Sequence, residues 1–400
     1  MRFKSIVKHS IFSVAGLGLS AISAVCSNIL IARTYSLDIA GDYFTANSIA
    51  VWFSAIAAFG IPDLLIREFH PVKSSHPTLP LNALYKLVSL VALVSSTALF
   101  LILTITNAGV HIGALSLVPL LAVPIRLIVA RYRLMSNYFS VFLALIVTNV
   151  IKLAIVFLSW LNQLSFTEFC LILSLVLFSA AVIAWGILFW SAIHAKNQTQ
   201  CNFLDGIPYL LGSIIGVGRT TFDLIMISYM LGPSAAAVYL PAVFPAKRTK
   251  VVAQAISDTA MLPKLMKLAH VSTIEFKKLA MVSAAANFII GIFVGLLFAL
   301  IAPFILGLFG PQYSEALPYY YAMTCLIPFR FSITALSSAL KHRKSAKGRV
   351  KDQTASLVVM FLLIFLMTPT YELWGGVFAV IFSDIMLLLL YIVRFLRIPN

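Results

Sequence analysis

Six basic residues, Lys152, Arg219, Lys247, Arg248, Lys250 and Arg330, lie deep inside long apolar runs of the sequence. A Lys or Arg facing lipid at the centre of a bilayer costs about 2.5–3.5 kcal/mol on insertion scales, so six would cost roughly 15–20 kcal/mol if the terms added. These side chains must therefore face a polar interior. On a helix turning about 100° per residue, Lys247, Lys250, Gln254, Ser257 and Asp258 fall within an arc of roughly 100°, with Arg248 about 80° beyond its edge. Such a stripe suits a helix that lines a cavity. Pro241 and Pro245, one turn apart, should bend that helix and free a backbone carbonyl near the bases. Acids at comparable depth are few: Asp223, Asp258 and Asp384. A cationic cavity with low-dielectric walls favours an anion, and phosphate suits Arg and Lys especially well. The expected chemistry is anion binding by Lys247, Lys250 and Arg219, supported by Arg248, Arg330 and Lys152, with Asp223, Gln254, Asp258 and Asn149 as polar neighbours.

Some of these residues also admit structural readings. Arg219 and Asp223 stand four apart on one helical face with Gly212 and Gly216, so the charges would neutralise each other while the glycines allow close packing. Lys152 with Asn149, and Arg330 with Thr334 and Ser337, are thinner signals of the same kind. Asp384 is either a counter-ion for one of the bases or a carrier of a coupling proton, and the sequence leaves both open. Ser13, Ser20, Ser23 and Ser27 form one polar face that reads as a helix-packing surface.

Enzyme motifs are absent. There is no GxxxxGK[ST] loop, no HExxH, and no long outer loop with a His, Arg or carboxylate cluster. The four cysteines, Cys26, Cys170, Cys201 and Cys325, form no CxxC pair, so neither a disulfide framework nor a metal site is expected, and no cofactor is called for.

The elements that must carry these residues follow from composition. Hydrophobic residues make up 61% of the chain and charged residues 10%, with a mean hydropathy of +1.00. A soluble domain could not carry that much apolar surface, so the chain is read as an integral membrane protein. Twelve runs are long enough to cross a bilayer core of about 30 Å: residues 10–32, 40–66, 81–105, 110–130, 138–161, 169–193, 207–231, 235–262, 279–303, 316–340, 355–369 and 374–393. They lack strand-period alternation and exceed the length of barrel strands, so they read as helices. The first run lacks a small-residue cleavage site and reads as a retained helix.

Of the 29 Lys and Arg residues, 22 lie at the termini or in the even-numbered gaps, among them Arg2, Lys4 and Lys8, Arg126, Arg131 and Arg133, and the 341–351 loop; Arg33 alone sits in an odd-numbered gap. The positive-inside rule then puts both termini on the cytoplasmic side and makes the number of spans even. The net charge of +16 is mostly this topology; the basic 341–351 loop is read as contacting anionic membrane lipids, not nucleic acid. The polar stretch 194–206 divides six spans from six, giving lobes at 1–196 and 207–400 joined by a cytoplasmic linker at 197–206. Six and six suggest two lobes around a site, as in transporters built from repeats. The fold class expected is thus an all-α polytopic membrane protein, twelve transmembrane helices in two six-helix lobes around a central cationic cavity.

Several segments resemble the Wzx-type polysaccharide flippases of the multidrug/oligosaccharidyl-lipid/polysaccharide exporter superfamily. Phe222-Asp-Leu-Ile-Met-Ile-Ser-Tyr-Met-Leu-Gly, followed by Ala237-Val-Tyr-Leu-Pro-Ala, resembles the family's Asp-containing seventh helix, Gly turn and entry to the eighth. Ala260-Met-Leu-Pro-Lys-Leu is similar to the end of helix eight, Leu308-Phe-Gly-Pro-Gln-Tyr-Ser-Glu-Ala to the segment between helices nine and ten, and Ala32-Arg-Thr-Tyr-Ser-Leu-Asp-Ile-Ala-Gly-Asp-Tyr to the pattern after helix one. The Lys247–Lys250 cluster matches no common motif of that family and rests on the helical wheel. The resemblance implies alternating access and a substrate, a polyprenyl-pyrophosphate-linked oligosaccharide such as an O-antigen unit, moved across the bacterial inner membrane. It also implies work beside a polysaccharide polymerase and a chain-length regulator. A multidrug exporter of the same superfamily would need deep acids for cationic drugs, a lipid II flippase usually has two more helices, and a glycan polymerase or ligase would need longer outer loops.

Overall fold

In a computed structural model of the chain, the described residues are 3–62, 82–105, 110–135, 137–193, 207–257, 265, 268, 272–340 and 343–397. Among them the regular structure is helical throughout: α1 (Phe3–Thr34), α2 (Leu37–Ala57), α3 (Asn82–Ile105), a 3-10 turn at Val110–Leu117 leading into α4 (Val118–Leu134), α5 (Tyr138–Leu161), α6 (Phe166–Ile193), α7 (Ile207–Leu231), α8 (Pro233–Ile256), α9 (Thr273–Leu300), α10 (Ala302–Phe309), a 3-10 turn at Pro311–Ala316, α11 (Leu317–Thr324), α12 (Ile327–Ala339), α13 (Arg343–Tyr371) and α14 (Leu373–Leu396). Every one of the twelve apolar runs is built on helix. Among the described residues eight helices are long and apolar enough to cross a membrane, and a bent pair supplies a ninth. The helices of the first, second and eighth runs are the rest: α1 is apolar over Gly18–Thr34, α2 carries Asp38, Asp42 and Asn47, and α8 carries Lys247, Arg248 and Lys250. The chain is a multi-pass membrane protein.

The tenth run departs from the expected single helix. It breaks between Thr324 and Ile327 with a bend of 47°. Pro328 enters in the first turn of α12; having no N–H and clashing with the preceding turn, proline fits a helix start better than its interior. By contrast α8 is continuous through Pro241 and Pro245, and the Thr249 hydroxyl donates to the Pro245 carbonyl at 2.8 Å. Polar caps lengthen other spans beyond their apolar stretch. Ser272 accepts from the Glu275 N–H at 3.3 Å, starting α9 at Thr273. Before α6, Ser165 and Glu168 bond reciprocally, the Ser165 N–H to Glu168 Oε2 at 2.9 Å and the Glu168 N–H to Ser165 Oγ at 3.3 Å, a capping box that satisfies two otherwise orphan donors.

The chain divides into two compact units, Met1–Tyr35 with Ala46–Val217, and Ser36–Thr45 with Gly218–Asn400. The polar stretch 194–206 lies outside the described residues. In the first unit α1 lies along α5, where Gly16 meets Phe142 and Asn149 donates to Ser20 Oγ at 2.7 Å. The serine face of α1 is packed as expected, with Ser23 and Ser27 buried. A cluster including Tyr85, Val88, Val123, Leu127, Ala184 and Leu188 joins α3, α4 and α6. Trp185 donates to the Leu120 carbonyl at 3.0 Å.

In the second unit small residues allow backbones to touch. A Cβ on Gly291 of α9 would lie 2.6 Å from Pro328 Cα, and one on Gly375 of α14 would lie 2.6 Å from the Thr368 nitrogen. Gly41 meets the Pro233 carbonyl at the start of α8, beside the one-residue turn at Gly232, whose φ of +93° is one that other residues rarely adopt. We expect Gly291→Leu to destabilise the protein by about 1–3 kcal/mol through overpacking. Gly186→Ala, inside α6 where a Cβ meets open space, should cost nothing and raise stability by about 0.4–1 kcal/mol; thermal unfolding of both variants in detergent is the check.

Candidate functional site

Five charged residues of the second unit converge from four helices. Arg219 stands one turn before Asp223 on α7, Lys247 is on α8, Arg330 on α12 and Asp384 on α14. Asp384 bridges two guanidiniums: its Oδ1 accepts from Arg219 Nη2, and its Oδ2 accepts from Arg330 Nε at 2.6 Å. Asp223 Oδ1 accepts from Lys247 Nζ at 2.8 Å, and its Oδ2 accepts from the Tyr239 hydroxyl at 3.3 Å. Arg219 and Asp223, neighbours on one helical face, thus each take a partner from another helix.

Burial explains the pairing. Asp223 is 1% exposed, Asp384 5% and Arg330 7%, and an ion at that depth loses several kcal/mol of hydration that a well-placed opposite charge must offset. The side chains of Arg219 and Lys247 retain 11% and 14% exposure. On the same side-chain scale Arg330 retains 9%, Asp384 7% and Asp223 1%, so Lys247 and Arg219 are by a small margin the most accessible members of a cluster that is buried throughout. Three bases against two carboxylates leave one positive charge, and the buried Arg219 Nε has no hydrogen-bond partner. Such an arrangement can take an anion at its edge by partial exchange with Asp384 and Asp223.

The other predicted residues are placed as follows. Arg248 lies over the Phe244 ring, 5.5 Å from its centroid, a cation–π contact. Gln254 is exposed and Ser257 is buried. The side chain of Lys250 and the whole of Asp258 lie outside the described residues. Lys152 and Asn149 belong to the first unit, where Lys152 Nζ donates to Asn47 Oδ1 at 3.2 Å and Asn149 bonds Ser20. The Thr334 hydroxyl donates to the Arg330 carbonyl, and Ser337 accepts from Arg349 Nη1 at 3.3 Å.

Sequence reasoning missed Asn47, Tyr239 and a further, half-buried ion pair. Arg394 of α14 forks onto Asp352 of α13, Nε to Oδ2 at 2.5 Å and Nη2 to Oδ1 at 2.6 Å, across Gly348, where a Cβ would collide with the guanidinium. Asp352 stands among the bases of the 341–351 region, and reading that region only as a topology signal hid it.

We expect Asp384→Asn to cost about 3–5 kcal/mol, because it strands two buried guanidiniums. Adding Arg219→Met should recover part of that loss, a coupling that a double-mutant cycle of thermal unfolding would measure.

No family model and no curated protein matches the sequence. Among solved structures, the MATE multidrug transporter DinF-BH is similar over 100% of this chain and 96% of its own, with a TM-score of 0.66 at 12% identity. A variant of the Vibrio cholerae MATE transporter VcmN is similar over 98% and 96%, with a TM-score of 0.63 at 12% identity. A multidrug resistance MATE family transporter of the MOP superfamily, in an outward-facing conformation, is similar over 98% and 94%, with a TM-score of 0.61 at 11% identity. Over its whole length, this helical membrane protein shares the fold of the MATE transporters.

Proposed function

We propose that this protein is a transporter, not an enzyme, and that it moves a polyprenyl-pyrophosphate-linked oligosaccharide across the cytoplasmic membrane by alternating access. In this reading both termini are cytoplasmic and the cargo is a surface-polysaccharide repeat unit such as O-antigen. The observation that carries it is the buried ion cluster, in which Arg219 and Lys247 are the most accessible members and one positive charge is left over. A pyrophosphate arriving there gains two charge-assisted donors. The carboxylates keep those donors paired when no anion is bound, and the one positive charge left among the five is what an arriving anion would neutralise. Arg330 completes the clamp through Asp384, and Arg248 and Lys250 are secondary contacts for phosphate or acidic sugars. In this scheme a proton on Asp384 would release both guanidiniums to the anion, which makes it the candidate for ion coupling.

A second reading is export of drugs, since the similar structures are those of multidrug transporters. A drug cation needs an exposed acid. Here Asp223 and Asp384 are already engaged by Lys247, Arg219 and Arg330, and the one positive charge left among these five favours the anionic cargo.

Deleting the gene should abolish surface glycan and leave lipid-linked oligosaccharide on the cytoplasmic side; intact glycan with altered drug tolerance would instead establish the exporter. With complementation in place, Lys247→Ala combined with Lys250→Ala should reduce surface glycan at least roughly tenfold, about 1.4 kcal/mol or more of lost interaction, at unchanged protein level. Normal glycan in that variant would remove the cluster from the transport path.

A further inference from the structure

A groove in the first unit has no part in the ion cluster. Helix α5 is held along α1 and α6 is held along α4. The two are tied at one end by Tyr35, whose hydroxyl lies 2.7 Å from Ser159 Oγ on α5 and whose ring meets Phe166 of α6 edge-on at 5.2 Å. Away from that tie they enclose a cavity of about 340 Å³ floored by α4. Its walls are almost wholly aliphatic, with Leu143 and Val147 on one side and Ile183 and Ile187 on the other. The stem of Lys152 borders the deep end. At the other end Ile128, Tyr132 and Ile187 are shared with a second cavity, of about 590 Å³, which adds Arg131, Met135 and Trp190. The two cavities thus adjoin at these three residues, the first almost wholly aliphatic and the second basic and aromatic.

We propose that this groove is a binding site for an anionic glycerophospholipid, one acyl chain lying between α5 and α6 and the phosphate on Arg131. Length supports it. From Ser140 to Lys152 the groove runs about 18 Å at about 1.5 Å per residue, close to half of a hydrocarbon core of about 30 Å, the depth of one leaflet. Charge supports it too, because a guanidinium at the mouth attracts a headgroup whose phosphate charge is unopposed more strongly than one whose own ammonium offsets it. Tyr132 and Trp190 carry the amphipathic rings that settle at headgroup level.

The test is native mass spectrometry of the purified full chain, titrated with phosphatidylglycerol or phosphatidylcholine of identical chains. The wild type should hold phosphatidylglycerol roughly tenfold more tightly, about 1.4 kcal/mol. Ala144→Trp, which fills the groove, should lose it, and Arg131→Gln should bind both lipids alike. Val147→Trp, at a more exposed position of the wall, replaces Ala144→Trp if that variant does not fold. Equal retention of the two lipids by the wild type, or undiminished phosphatidylglycerol on a folded groove-filled variant, overturns the proposal. Displacement of phosphatidylglycerol by an equimolar polyprenyl phosphate also overturns it, by giving the groove to that lipid instead.

Discussion

A charge taken into the interior of a membrane protein must meet its partner there, and the second unit is arranged around that requirement. Asp384 and Asp223 together receive three basic groups and a tyrosine hydroxyl, from α8, from α12 and from Arg219, the neighbour of Asp223 on α7. None of these ions is stable alone at its depth, because the hydration lost on burial exceeds what an isolated charge can recover from protein dipoles. Pairing removes that penalty and at the same time specifies which helices lie side by side. The ion cluster is therefore both a candidate binding site and a restraint on how α7, α8, α12 and α14 pack.

Helices can bring short Asp side chains within reach of those bases only if their backbones approach closely. Glycine makes that approach possible at Gly291 against Pro328 and at Gly376, where Ile227 of α7 fills the missing Cβ position. The break before Pro328 belongs to the same local geometry, since it sets the start of the helix that carries Arg330. In lipid, where burying apolar surface between helices gains little, close packing of this kind is a main source of helix association.

In the first unit the described bonds of the inward polar groups include several to neutral acceptors. Lys152 has an amide oxygen of Asn47, Arg126 a carbonyl of Ser54 at 3.3 Å, and Asn149 a hydroxyl of Ser20. Its core is an aliphatic and aromatic cluster, and the cleft between α5 and α6 is apolar for most of its length.

Much of the architecture was legible along the chain. Helix length and hydropathy are local quantities, so the twelve runs each appeared on helix, and two of them, 138–161 and 207–231, matched their helices at both ends. The depth of Arg219, Lys247, Arg330 and Asp384 in those runs was equally plain, as was their need for polar surroundings. Helical period assigns a residue to a face, however, and cannot say what stands opposite. That is why Arg219 and Asp223 read as a pair on one helix, whereas Arg219 joins Asp384 at a separation of 165 residues, Arg330 joins it at 54, and Asp223 joins Lys247 at 24. Hydropathy by itself also conceals a bend, because Thr324 to Ile327 is as hydrophobic as a straight span; Pro328 was a local signal for it, and the structure starts α12 there, close against Gly291 of α9. Sequence alone thus determined which segments enter the membrane and which charges they carry inward, through local hydropathy and period. Which charges neutralise one another, and which are left most accessible, was decided only by tertiary structure, because pairing energy depends on distances between helices far apart in the chain.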